Sequence, residues 1–223
     1  MDRIKDIIVL KCETQKSKNE LSKPYHVWDM LLSVATTYSY NTDTYKIWTF
    51  NNKDKLIDYL KESCIICYNG VKFELPLLLG KDYDCDPSYI IESKSHNFMC
   101  CCVDIFYQIL QSIYRVQIYS EVKDMCNKHP LGNLTSYSLY NVYCNTLNKQ
   151  IPKDIYDVKA IEMFKNKRIL ELVEYNMFKL RFVKKLYEHI VRYGYIVNGD
   201  YDIVKLKLDS PRIMTDVDYF LPF

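Results

Sequence analysis

What this sequence lacks narrows it before any motif is read. No run approaches the roughly 18 apolar residues that a membrane-spanning helix needs, so no membrane partner is expected. The N-terminus, MDRIKDIIVLKCE, has no signal-peptide architecture, which points to an intracellular protein, cytoplasmic or nuclear. Charge of one sign is missing too: 30 basic residues against 28 acidic ones leave +2, no overall pull towards nucleic acid, a membrane surface or an acidic partner. The nine cysteines are odd in number and follow no framework spacing, which argues for reduced thiols over a disulfide scaffold. Cys64 and Cys67 form a CxxC, but a second pair to complete a zinc site is absent, and a strand would point them to opposite faces. Glycine is down to 5 residues while tyrosine reaches 21 and lysine, isoleucine and asparagine are abundant. That bias fits an AT-rich coding genome, as in a virus, phage or mobile element.

At 223 residues, one domain able to bury about 70% of its unfolded surface is expected. Residues 7 to 12, IIVLKC, read as a buried strand with Glu13-Thr14 at its end. After a polar loop over 15 to 24, Val27 to Tyr40 and Tyr45 to Phe50 read as a hairpin around the turn Asn41-Thr42-Asp43. Lys53 to Glu62 places Leu56, Ile57 and Leu60 on one helical face. Cys64 to Cys67 is the next strand, Tyr68-Asn69-Gly70 a turn, and Val71 to Leu79 a helix.

Lys81 to Asn97 reads as an irregular surface excursion and Phe98 to Val103 as a strand. Asp104 closes that strand and caps a helix over Ile105 to Tyr114. Leu134 to Leu147 has helical spacing, Pro152 opens a further helix, and Arg168 to Val191 is a long amphipathic helix ended by Gly194. Ile203 to Leu208 is strand-like, and the apolar tail through Phe223 either docks on its own domain or anchors a partner.

One residue demands a reason. Glu74 lies in an apolar segment between Phe73 and Leu75, where an ionised carboxylate costs several kcal/mol unless it is paired or metal-bound.

Three stretches then belong together: Lys11-Cys12-Glu13-Thr14, the run Asn69-Gly70-Val71-Lys72-Phe73-Glu74-Leu75-Pro76, and Tyr175-Asn176-Met177-Phe178-Lys179. In order and spacing they resemble the DEDD-type 3'-5' exonucleases of the ribonuclease H-like superfamily. That family carries a first-strand DxE usually followed by Thr, a second motif close to NxxxFDxP and a late helical YxxxD. The resemblance spans residues 7 to about 190, and it implies metal-ligand positions at 11, 13, 74 and 179. Here Lys11 and Lys179 stand where the family has aspartate, Glu74 is a lengthened aspartate, and Glu13 alone is unchanged.

The chemistry of that exchange follows from charge. A two-metal phosphodiester site clusters carboxylates because two divalent ions bring four positive charges about 3.5–4 Å apart. Glu13 and Glu74 with Lys11 and Lys179 sum to zero without any ion, and a charged lysine has no lone pair to coordinate Mg²⁺.

The expected fold is α/β, a ribonuclease H-like mixed sheet with helices on both faces, over residues 1–193 with a C-terminal extension at 194–223. The expected function is a catalytically inactive exonuclease-like module that associates with DNA or RNA or with a protein assembly, needing no cofactor. Its vestigial site is Lys11, Glu13, Glu74, Tyr175 and Lys179, with Asp104 as a possible remaining acid. Thr14, Tyr68, Asn69, Lys72 and Lys184 are the candidate nucleic-acid contacts, two of them lysines and one an aromatic ring available for stacking. The competing expectation is a residual nuclease using Glu13, Glu74 and Asp104 with Mg²⁺ or Mn²⁺.

Overall fold

Strand alternation assigns each residue of the first strand to one face of a sheet. In β1 (Ile7–Thr14), Ile8, Leu10 and Cys12 enter one core and Ile7 and Val9 the other, so the strand is apolar on both sides. Such a strand has to be central. The computed structural model, which describes residues 4–85, 90–114, 134–153 and 159–208, places it third in a seven-stranded sheet of order β3-β2-β1-β4-β7-β6-β5.

β2 (Leu32–Ser39) and β3 (Thr44–Thr49) run antiparallel to their neighbours, joined through Asp43 with φ 50°. After α1 (Lys53–Leu60), which buries Leu56, Ile57 and Leu60 as its spacing predicts, β4 (Cys64–Cys67) pairs parallel to β1. The short helix α2 (Glu74–Leu79) follows. β7 (Phe98–Asp104) pairs parallel to β4 and leads into α3 (Ile105–Tyr114). Beyond it come α4 (Leu139–Thr146), α5 (Ala160–Lys165) and the long α6 (Ile169–Tyr193), which Gly194 ends in the left-handed conformation at φ 71°.

The two faces are covered differently. α1 and α2 close the core around Leu10, Ile65 and Leu78, whereas α4 and α6 close the one around Val9, Ile66 and Val183. A ribbon of β8 (Tyr195–Val197) and β9 (Ile203–Lys205) adds Ile196 to the second core, and Leu206 just after β9 joins it. Six cysteines, 12, 64, 67, 100, 101 and 102, are buried and outside any disulfide among the described residues, with Cys64 and Cys67 on opposite faces of β4.

Three readings of the sequence are corrected. Val27–Met30 is a 3₁₀ turn held by the Asp29 carboxylate accepting from the His26 N–H at 2.8 Å, so β2 starts only at Leu32. Residues 81–97 are not irregular throughout: β5 (Tyr83–Cys85) and β6 (Ile90–Ser93) extend the sheet antiparallel from β7. This hairpin carries one strong core anchor, Ile91, too little to show as alternation. The Leu134 to Leu147 segment splits into a 3₁₀ turn, Leu134–Tyr137, and α4, because Ser138 caps α4 by accepting from the Asn141 N–H. The Pro152 helix beyond Lys153, the loop with His129 and the tail after Leu208 lie outside the described residues.

Candidate functional site: two crossed ion pairs at the sheet's carboxyl end

Lys11 and Glu13 are two apart on β1, so they emerge on one face, that of α6. Between Glu13 and Thr14 the β1–β2 register shifts, a bulge of the kind that re-aims a side chain. Glu74 reaches the same place from the start of α2. Pro76 is tolerated there because a first-turn N–H has no helical partner to lose.

The carboxylate of Glu74 is 0% exposed and is paired with the Lys11 ammonium, whose side chain is 12% exposed. From α6, Lys179 pairs with Glu13 at 3.0 Å, these side chains being 16% and 13% exposed. Each ammonium also lies over a ring: Lys11 is 5.6 Å from the centroid of Phe73, and Lys179 is 4.4 Å from that of Tyr175, one turn earlier on the helix. Asn176, fully buried, donates to the backbone carbonyl of Lys11 at 3.1 Å and ties α6 to β1 beside the pairs. The second oxygen of Glu74 has no hydrogen-bond partner among the described residues.

Asp104 sits under this arrangement and takes no part in the ion pairs. Its carboxylate accepts from the Asn69 N–H at 2.7 Å and the Val71 N–H at 3.0 Å, and also from Phe106 at 3.1 Å at the start of α3. It is therefore the helix cap expected from the sequence and, in addition, a staple across the turn that launches Glu74. Burial raises its pKa to about 6, against the pull of the Val71 and Asn69 N–H groups, and the negative charge of Glu74 adds to the rise. Cys12 is pushed up as well, by burial first and then by Glu74.

The turn itself is tight. Asn69 adopts φ 61°, which asparagine tolerates, and a Cβ on Gly70 would come within 2.4 Å of the Cys67 sulfur.

Two clefts meet at Lys179. One, of about 290 Å³, is bordered by Lys11, Tyr68, Asn69, Phe106, Tyr137 and Lys179. The other, of about 440 Å³, is bordered by Glu13, Thr14, Glu20, Lys159, Lys165 and Lys179, with the Lys165–Glu20 pair at 2.8 Å at its rim.

The structure thus brings together Lys11, Glu13, Glu74, Tyr175 and Lys179. Of the expected nucleic-acid contacts, Tyr68 and Asn69 border the first cleft and Thr14 the second, though Thr14 already donates to the Lys16 carbonyl at 3.0 Å. Lys72 is exposed with its ammonium 5.5 Å from the Tyr107 centroid. Lys184 lies over the Tyr38 ring at 4.5 Å and pairs with Glu188 at 2.5 Å, and it borders neither of these two clefts. The hydrogen bond of Asn176, the ring contact of Phe73 and the staple role of Asp104 escaped the sequence reading, although Asn176 and Phe73 stand within its motif stretches and the Asp104 strand end hinted at a role.

No family model and no curated protein matches this sequence. Among solved structures, the chain is similar to the family B DNA polymerase from the hyperthermophilic archaeon Pyrobaculum calidifontis, with a TM-score of 0.54 and 12% identity. The match covers 83% of this chain and 24% of the polymerase. The fold is ribonuclease H-like. It has the mixed sheet with a three-strand antiparallel side and helices on both faces. The chain spans about a quarter of the polymerase's length, and the likeness speaks for the fold alone.

Proposed function

We propose that this chain is an exonuclease-like domain that has lost hydrolysis and persists as a module associated with nucleic acid or with a protein assembly, in a virus or mobile element. The observation that carries this reading is the pairing of Lys11 with Glu74 and Lys179 with Glu13. A pair of divalent ions requires carboxylates at these positions, and here two of four are ammoniums that already neutralise the other two. The donor set does not fit two metals, so no hydrolytic step is derived through them.

Association with nucleic acid draws support from the cleft where Lys11, Lys179, Tyr68 and Asn69 meet, since cations and ring faces suit a phosphate backbone and bases. The fold's likeness to part of a DNA polymerase fits the same reading. The AT-rich residue bias is the support for a viral or mobile-element source.

The test uses labelled single- and double-stranded DNA and RNA oligonucleotides with Mg²⁺ or Mn²⁺. The expected result is binding without shortening. Shortening from the 3' end that EDTA and Glu13→Ala both abolish would overturn the proposal. It would favour a residual metal-dependent nuclease built on Glu13, Glu74 and Asp104.

A further inference from the structure

Among the described residues, one edge of the sheet is left open. β3 is the last strand in the order and pairs with β2 in an unbroken register from Thr44 to Thr49, without a bulge. Edge strands are ordinarily blunted by shortness, proline, bulges or charge. β3 spans six residues, contains no proline and carries a single charge, Lys46. The opposite edge, β5, is only three residues long.

The side chains of β3 divide cleanly. Towards α6 it exposes Tyr45 at 40% and Ile47 at 53%, and Phe50 just beyond is 47% exposed. On the other side Lys46 has its ammonium 4.0 Å from the Tyr59 centroid, and no carboxylate of the described residues pairs with it. An extended segment that completes this edge therefore needs apolar residues on one side and acids on the other.

The chain's own C-terminal segment carries that alternation from Asp216 to Tyr219. The segment beyond Leu208 lies outside the described residues, and its sequence ends Asp216-Val217-Asp218-Tyr219-Phe220-Leu221-Pro222-Phe223. In an extended segment, Val217, Tyr219 and Leu221 share one side while Asp216, Asp218 and Phe220 share the other, the two acids preceding the ring. The apolar side matches Tyr45 and Ile47, and the acids match Lys46. Pro222 follows directly, at a position where a strand would stop.

We infer that β3 is a docking edge for the C-terminal segment of a second copy of this chain, which adds to the sheet as an eighth strand. The main chain supplies affinity, and the alternate side chains supply specificity. Because edge and segment are different surfaces, the contact is heterologous and leads to rings or open chains.

Sedimentation over a concentration range tests this with full-length chains. Wild type is expected to rise above its monomer mass of 26.7 kDa as concentration increases. Ile47→Glu spoils the edge and Tyr219→Glu spoils the segment, so each alone is expected to stay monomeric. An equimolar mixture contains one sound edge and one sound segment, and is expected to form a dimer and stop there. A synthetic peptide of residues 215–223, in excess, is expected to weaken wild-type association at least about tenfold. Circular dichroism of each variant separates loss of association from loss of fold, and the peptide arm needs no variant. Wild type that stays monomeric, a mixture that stays monomeric, or self-association of Tyr219→Glu equal to wild type would each overturn the inference.

Discussion

Lys11 and Lys179 each hold a carboxylate in different surroundings, and that difference sets what their removal costs. Glu74 is wholly buried, so Lys11→Met strands a charge in the core and should cost about 3–5 kcal/mol. Glu13 keeps 13% of its side chain in water, so Lys179→Met should cost less, about 1–3 kcal/mol. Urea melts give the order of the two, and equal midpoints would mean that the pairs are not distinguished by burial. Asp104 makes a prediction in pH. Its pKa is about 6 in the fold and 3.8 as the ordinary value, so the native state holds more protons between those values than the unfolded chain. Its contribution to stability therefore falls as pH rises from about 4 to about 6 and is constant above. The stability difference between wild type and Asp104→Asn should decline over that window, and a flat difference would mean that Asp104 does not titrate there.

The turn from Cys67 to Glu74 is the element on which the site depends, and it is built from contacts that tolerate little change. Gly70→Ala sets a methyl 2.4 Å from the Cys67 sulfur and 2.6 Å from its Cβ, an overpacking expected to cost about 1–3 kcal/mol. Adding Cys67→Ala removes the sulfur but not the Cβ, so the double variant should recover only part of the loss. Full recovery in a urea melt would show that the turn yields. This element was partly legible: Cys64 to Cys67 has strand length and Asn69-Gly70 marks the turn, but the helix expected from Val71 begins only at Glu74, the turn running on through Phe73. β5 and β6 were not legible: an edge hairpin with one buried isoleucine has no periodicity to read. The site divides the same way. Lys11, Glu13, Glu74 and Lys179 were visible as motif positions, whereas the bond from Asn176 to the Lys11 carbonyl depends on how α6 lies across β1.

At the scale of the whole molecule, β1, α2 and α6 converge on a centre whose charges balance without any ion. Changing Lys11 and Lys179 together to aspartate tests that balance. Four carboxylates would then share one place, each raising the others' pKa values unless a cation binds. Without divalent ions the double variant should melt well below wild type. With Mg²⁺ or Mn²⁺ at 100 times its dissociation constant, the variant should regain about 2.7 kcal/mol, the value of RT ln(1 + [L]/Kd) for one site that only the folded state forms. Wild type should gain much less, because its two ammoniums already stand at those positions and offer an ion no lone pair. Thermal melts with and without Mn²⁺ read this directly. A variant that gains nothing from metal, or a wild type that gains as much, would mean that the four residues do not form one centre, and the exonuclease-like reading would lose its physical basis.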